Sequence, residues 1–125
     1  MTPLLLVLVA VAGGVGAALR FVSDGLVAAR SRLPIPLGTL LVNVTGSFVL
    51  GLVTGLASGG VVDSRTAAVL GTGMMGGYTT FSTASVETVR LLRAGRSRLA
   101  VVNALGMLVV SVGAAALGLQ LGRIP

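Results

Sequence analysis

The chain of 125 residues contains no cysteine and no histidine. Without Cys there is neither a disulfide framework nor a thiolate metal site. Without His the commonest metal ligand and the usual general base are missing. Asp24, Asp63 and Glu87 are its only carboxylates, too few for a carboxylate cage around a metal. These absences argue against an enzyme. Lysine is absent too: all nine cations are Arg, and the net charge is +6. A basic chain invites a nucleic-acid reading, but the Arg residues lie between apolar runs, and one Tyr and three Phe offer little for base stacking. Arg flanking membrane spans accounts for the charge, and no nucleic-acid partner is expected.

What is present is apolar: 54% hydrophobic residues, 10% charged, mean hydropathy +1.04. That is the composition of a protein crossing a lipid bilayer several times. Four uncharged runs, residues 1–19, 33–62, 66–86 and 99–122, alternate with short Arg-bearing connections. Each is long enough to span. The membrane portion of the second is placed at residues 37–57. The first lacks a basic leader and a clear cleavage site, so it reads as a retained span. Residues 1–125 are thus expected to form one all-α membrane domain of four transmembrane helices. In this reading Arg20 closes the first helix, with Asp24 four residues on as its partner, and Pro34 and Pro36 bracket the start of the second. Connections one and three carry Arg20, Arg30, Arg32, Arg90, Arg93, Arg96 and Arg98; the opposite side carries only Arg65 and Arg123. Short Arg-rich loops stay cytoplasmic. The expectation is a multi-pass protein of the cell membrane in a single orientation, loops one and three inside.

The third run holds the sequence Gly-Thr-Gly-Met-Met-Gly-Gly-Tyr-Thr-Thr-Phe-Ser-Thr-Ala-Ser over residues 71–85. Its centre, Gly76 to Thr80, is poor helix material. In lipid an unwound segment leaves backbone groups unpaired at several kcal/mol each, so it survives only where protein, water or an ion satisfies them. Two readings stand: a helix broken at this cluster whose freed carbonyls and hydroxyls face a site, or a continuous helix using small residues for close packing.

Polar residues also align on the second and fourth runs. Thr39, Asn43, Ser47, Gly51 and Thr54 fall at spacings of four, four, four and three, one stripe that must face protein or water rather than lipid. Asn43 is its most demanding member, with two donors and an acceptor to satisfy; it is either interhelical glue or a donor to a passing anion. Gly51 and Gly55 read as a packing pair, as do Gly13 and Ala17 on the first helix. On the fourth, Asn103 and Ser111 share a face with Met107 between them, and Gly106, Gly113 and Gly118 offer packing surface. Glu87 and Arg90, three apart, can pair.

Gly13-Gly-Val-Gly-Ala-Ala-Leu-Arg-Phe21, Pro36-Leu-Gly-Thr-Leu-Leu-Val-Asn43 with Gly46-Ser-Phe48, and Gly76-Gly-Tyr-Thr-Thr-Phe-Ser-Thr83 together resemble the fluoride channel family known as Fluc or CrcB. The resemblance covers essentially the whole chain. It implies a fluoride-selective channel that lowers cytoplasmic fluoride by passive export, and an antiparallel, dual-topology-type dimer with two pores. It implies a structural sodium ion at the dimer centre, held by the backbone carbonyls of Gly76 and Thr79 from each subunit. It also implies an anion path lined by Asn43 and Phe81, continued by hydroxyls at Thr80, Ser82, Thr83 and Ser111. Arg20 is a candidate for an anion vestibule.

The sequence departs from the family pattern after Thr83, where Ala84 replaces a second pore Phe; Met107 also interrupts the polar stripe of the fourth helix. One pore of a homodimer is then impaired. A chain with one orientation also cannot pair antiparallel with itself, so an oppositely oriented paralogue is the expected partner. Two rivals remain: a non-conducting or single-pore partner subunit, and a small multidrug-type proton-coupled exporter. The exporter needs an intramembrane carboxylate, which the first helix lacks.

Overall fold

The computed structural model describes residues 2–33 and 35–124. Helix α1 (Pro3–Arg30) starts where Thr2 Oγ1 accepts the N–H of Leu5 at 3.2 Å and proline occupies the first turn, where its missing N–H costs nothing. It does not stop at Arg20. Arginine is a good helix former, and no proline intervenes before the chain turns extended at Ser31, whose N–H still bonds Val27 O at 2.9 Å. At 28 residues α1 is about 42 Å long, more than the ~30 Å of a hydrocarbon core, so its last turns project beyond the apolar layer. Helix α2 (Leu37–Ser58) begins directly after Pro36; Pro34 lies outside the described residues.

Residues 64–93 form a bent, segmented helix. Asp63 caps α3 (Ser64–Ala67), its carboxylate accepting the Thr66 N–H at 2.8 Å, and these contacts with Thr66 hold the Asp63 carboxyl below the usual range. A π-helix follows over Ala68–Met75, then α4 (Gly76–Tyr78). Thr79 is extended, with φ −79° and ψ 158°, and helix resumes as α5 (Ser82–Arg93). Helix α6 (Ser97–Arg123) completes the chain, and no strand occurs among the described residues.

Close backbone approach holds the bundle together. Gly51 on α2 lies against the Ala115 carbonyl of α6, and Gly118 on α6 against the Phe48 carbonyl of α2; a Cβ at either would overlap backbone. Gly55 and Gly122 continue this seam. On the other side, Gly16 of α1 abuts the Met74 carbonyl, and Gly77 abuts the Gly13 carbonyl. Gly13 packs as expected, and Gly16, one turn on, makes a second close contact with the same segment. Gly106 and Gly113 have nothing within 4 Å, so of the three glycines expected to pack on the fourth helix only Gly118 does. Thr54 is exposed and turns its hydroxyl back to Leu50 O at 2.8 Å. It leaves the polar stripe because a threonine can satisfy itself on its own helix.

The exterior is apolar, with Leu6, Val11, Leu105, Val109 and Val112 all more than half exposed. A continuous surface of this kind does not belong in water. Three helices, Pro3–Arg30, Leu37–Ser58 and Ser97–Arg123, are long and apolar enough to cross a membrane, and the protein is a multi-pass membrane protein.

The seam between α2 and α6 is open to test. Gly51→Ala is expected to destabilise the protein by about 1–3 kcal/mol through overpacking. Gly113→Ala, in open space, is expected to be neutral or stabilising by up to about 1 kcal/mol through helix propensity. Reversible unfolding in mixed micelles, followed by circular dichroism, checks the contrast.

Candidate functional site

In lipid the chain has to find internal partners wherever a helix bends. At the bend of residues 79–81 the partner is Asn43 of α2. Its Oδ1 accepts the Thr80 N–H at 2.7 Å, and its Nδ2 donates to the Thr80 carbonyl at 2.8 Å. The primary amide thus pairs with one residue's backbone at both ends, as a neighbouring peptide unit would. Asn43 and Thr80 are each 8% exposed, so water does not compete. The second N–H of Asn43 goes to Met107 Sδ of α6 at 3.1 Å. One side chain therefore ties together α2, the bend and α6.

The Thr80 hydroxyl starts the next helix. It accepts the Thr83 N–H at 3.1 Å, which is the bond an N-cap makes, and donates to Thr83 Oγ1 at 3.0 Å, with Ser82 Oγ at 3.4 Å. Helical register would hand the N–H groups of Thr80 and Thr83 to the carbonyls of Gly76 and Thr79. Instead they go to Asn43 Oδ1 and Thr80 Oγ1, and no other backbone hydrogen bond among the described residues reaches those two carbonyls. Gly76 is exposed on the single chain and Thr79 half-buried. A hard cation takes oxygen ligands, and two carbonyls released from helical bonding fit that requirement.

A cavity of about 490 Å³ opens beside the bend, lined by Asn43, Thr80, Phe81, Asn103, Met107 and Ser111 among others. No ionisable side chain lines it. The Ser111 hydroxyl is buried without a hydrogen-bond partner, so it is a donor free for a ligand. Asn103 Nδ2 donates to Thr88 Oγ1 at 2.9 Å, closing one wall. Phe81 is 88% exposed, its ring projecting at the cavity's open side.

The structure thus brings together Asn43, Thr80, Phe81 and Ser111 in one cavity. Ser82 and Thr83 line a separate hollow of about 240 Å³ with Glu87 and Arg90, joined to the first through the Thr80 hydroxyl. Glu87 Oε1 is buried there without a hydrogen-bond partner. Arg20 is half-buried on α1 and does not line the main cavity. Ala84 does line it. Two features went unread in the sequence. The sequence marks Asn43 as glue or anion donor, but the structure makes it a surrogate peptide group for Thr80. Met107 interrupts the polar stripe by residue type, yet its sulfur accepts from Asn43; the face it shares with Asn103 and Ser111 is the signal in the sequence.

Residues 7–119 match the family described as CrcB-like protein, Camphor Resistance (CrcB). A protein of Leifsonia xyli named Fluoride-specific ion channel FluC 1 is 54% identical over 124 residues, covering 99% of this chain and 90% of the relative. A Cutibacterium acnes protein named Fluoride-specific ion channel FluC 2 is 47% identical, over 91% of this chain and 94% of its own length. Another FluC 2, from Mycolicibacterium paratuberculosis, is 48% identical over 93% and 92% respectively.

The pairing of Asn43 with Thr80 has a direct consequence for exchange. Asn43→Leu strands a buried N–H and a buried C=O at about 1–3 kcal/mol each. The Thr80 amide is expected to exchange at least tenfold faster in this variant than in the wild type, with amides of α1 little changed. Residue-resolved hydrogen exchange in micelles checks it.

Proposed function

From the chain's place in the CrcB family, to which it belongs, we propose that it is a subunit of a fluoride-selective channel that lowers cytoplasmic fluoride by passive export. The family consists of ion channels, and the protein is not an enzyme. The observation that carries the substrate reading is the cavity beside the bend: donors and a phenyl ring, with no fixed charge. Fluoride is small and strongly hydrated. A path for it must replace water with several donors and still let the ion leave. Ser111 supplies a hydroxyl with no partner in the chain, Asn43 an N–H whose acceptor is only the Met107 sulfur, Thr80, Ser82 and Thr83 form the hydroxyl track, and the electropositive edge of the Phe81 ring can face an anion. A guanidinium in the same place would hold the ion too firmly. Arg20 is left as a vestibule group that draws anions towards the membrane surface.

The segmented helix of residues 64–93 is, in this reading, the third crossing, broken at Thr79. The carbonyls of Gly76 and Thr79, together with those of an inverted second subunit, would hold a sodium ion. Such an ion would neutralise the converging carbonyl dipoles and hold the two chains in register. The diversion of the Thr80 and Thr83 N–H groups supports this, because it leaves both oxygens free to bind. The bias of seven Arg against two favours a single orientation with loops one and three cytoplasmic. The second subunit is then an oppositely oriented paralogue. Ala84 in the cavity wall supports a second reading, in which this chain contributes one competent pore or none.

Fluoride efflux from proteoliposomes, read with a fluoride-selective electrode, tests the reading. Efflux is expected to exceed chloride efflux by orders of magnitude, to fall about tenfold or more in Phe81→Ala, and to weaken when sodium is replaced. Equal chloride and fluoride rates would overturn it. If this chain alone gives no efflux but does so with an oppositely oriented paralogue, the heteromeric arrangement holds. Full fluoride protection of an exporter-deficient strain by this chain alone would reject it.

A further inference from the structure

All polar hydrogens of Asn43 are engaged in the structure. One N–H meets Thr80 O, and the other meets Met107 Sδ. These two bonds are unequal. The first belongs to a two-point amide–peptide pair buried at the bend. The second ends on a thioether, a weak acceptor, carried by a flexible side chain with three rotatable bonds. Met107 is 6% exposed and lines the same cavity as Phe81 and Ser111, one turn from Ser111 on α6. The one bond of Asn43 that can be given up without undoing the bend therefore faces the place where an anion would sit.

We propose that Met107 is a positioning residue that occupies the outward N–H of Asn43, and that a fluoride ion in the cavity displaces its sulfur as acceptor. This rests on the channel reading above and assigns Met107 a role within it. The sulfur keeps a buried N–H from standing without a partner while the cavity is empty, and it yields to any stronger acceptor. An anion is such an acceptor. A carbonyl or carboxamide at the same place would compete with the ion. A purely aliphatic chain would leave the N–H open and raise the affinity for the ion. Met107 thereby tunes how firmly the cavity holds fluoride, without a fixed charge and without disturbing the Asn43–Thr80 pair.

The test follows the two Asn43 side-chain N–H signals by ¹H–¹⁵N NMR of the full chain in micelles, assigned by their loss in Asn43→Leu, during titration with sodium fluoride against sodium chloride. Fluoride is expected to move one of the two signals downfield, saturably, while the signal bonded to Thr80 stays. In Met107→Leu the same signal should titrate at roughly three- to tenfold lower fluoride, and in Met107→Gln at roughly three- to tenfold higher. Efflux from liposomes should show the same order in half-saturating fluoride. A midpoint in Met107→Leu equal to wild type would overturn the proposal, since a residue that only fills space is replaced by Leu without consequence. So would fluoride leaving both signals in place. Absent efflux in the wild type with a saturable fluoride shift would reject the conducting role alone and leave the assignment of Met107 intact. Should Met107→Gln not fold, the Leu variant decides.

Discussion

The bend beside the cavity depends on a side-chain amide standing in for a peptide group. In water an unwound residue is solvated and its conformation costs little. In hydrocarbon each of its two backbone groups costs several kcal/mol if unpaired, which is comparable to the net stability of a domain. Asn43 meets both groups of Thr80 at once, at 2.7 and 2.8 Å. Among uncharged side chains only a carboxamide offers a donor and an acceptor in the spacing of a peptide unit, and Asn rather than Gln fits where the helices are close. The Thr80 hydroxyl then restarts the helix on Thr83. Thr79 can leave helical geometry because the next residue is fully paired.

That pairing requires α2 and the bend to lie at a fixed distance, and glycine sets it. Gly46 of α2 lies against Thr79 and Tyr78, so the backbone of α2 reaches the bend without a side chain between. Gly51 and Gly118 hold α2 and α6 at backbone contact further along, which brings Met107 of α6 within reach of Asn43. Packing in lipid gains little from burying apolar surface and much from such approach. The glycines and the polar cluster are thus one construction: close approach makes the short polar contacts possible, and those contacts fix the register of the approach.

How much of this was legible from the residues depended on the physics involved. Membrane class and three of the expected crossings followed from uncharged runs long enough to cross, because water and lipid sort residues by a rule that reads directly from composition; the third run is a bent series of short helical segments instead. The polar stripe of α2 was legible to Gly51 and failed at Thr54, whose hydroxyl bonds its own helix. Arg20 misled as a helix end, since charge marks a membrane boundary and not a change in backbone geometry; α1 runs on to Arg30. The π-helix of Ala68–Met75 has no pattern of its own. Its register is set by neighbours, here α1 and α2, and a lone sequence does not contain their distances. For the same reason Asn43 could be singled out by cost but not assigned its partner.

Ala84, where the resemblance implies a ring, and Met107 line one cavity and change its volume in opposite senses. Ala84 in place of a ring widens it and removes an electropositive edge. Met107 fills part of it, and its sulfur occupies an N–H of Asn43. In the proposed channel, an ion entering this cavity would meet fewer ring hydrogens and one amide hydrogen that it must first release from sulfur. Conduction needs binding that is strong enough to strip water and weak enough to let the ion go. A site that loses one stabilising group and gains a displaceable competitor binds its ion more weakly on both counts. Unless the hydroxyls of Thr80 and Ser111 offset this, strong binding has to come from elsewhere along the path. In a two-chain assembly the face supplied by the other subunit, against the exposed ring of Phe81, is where that compensation would lie.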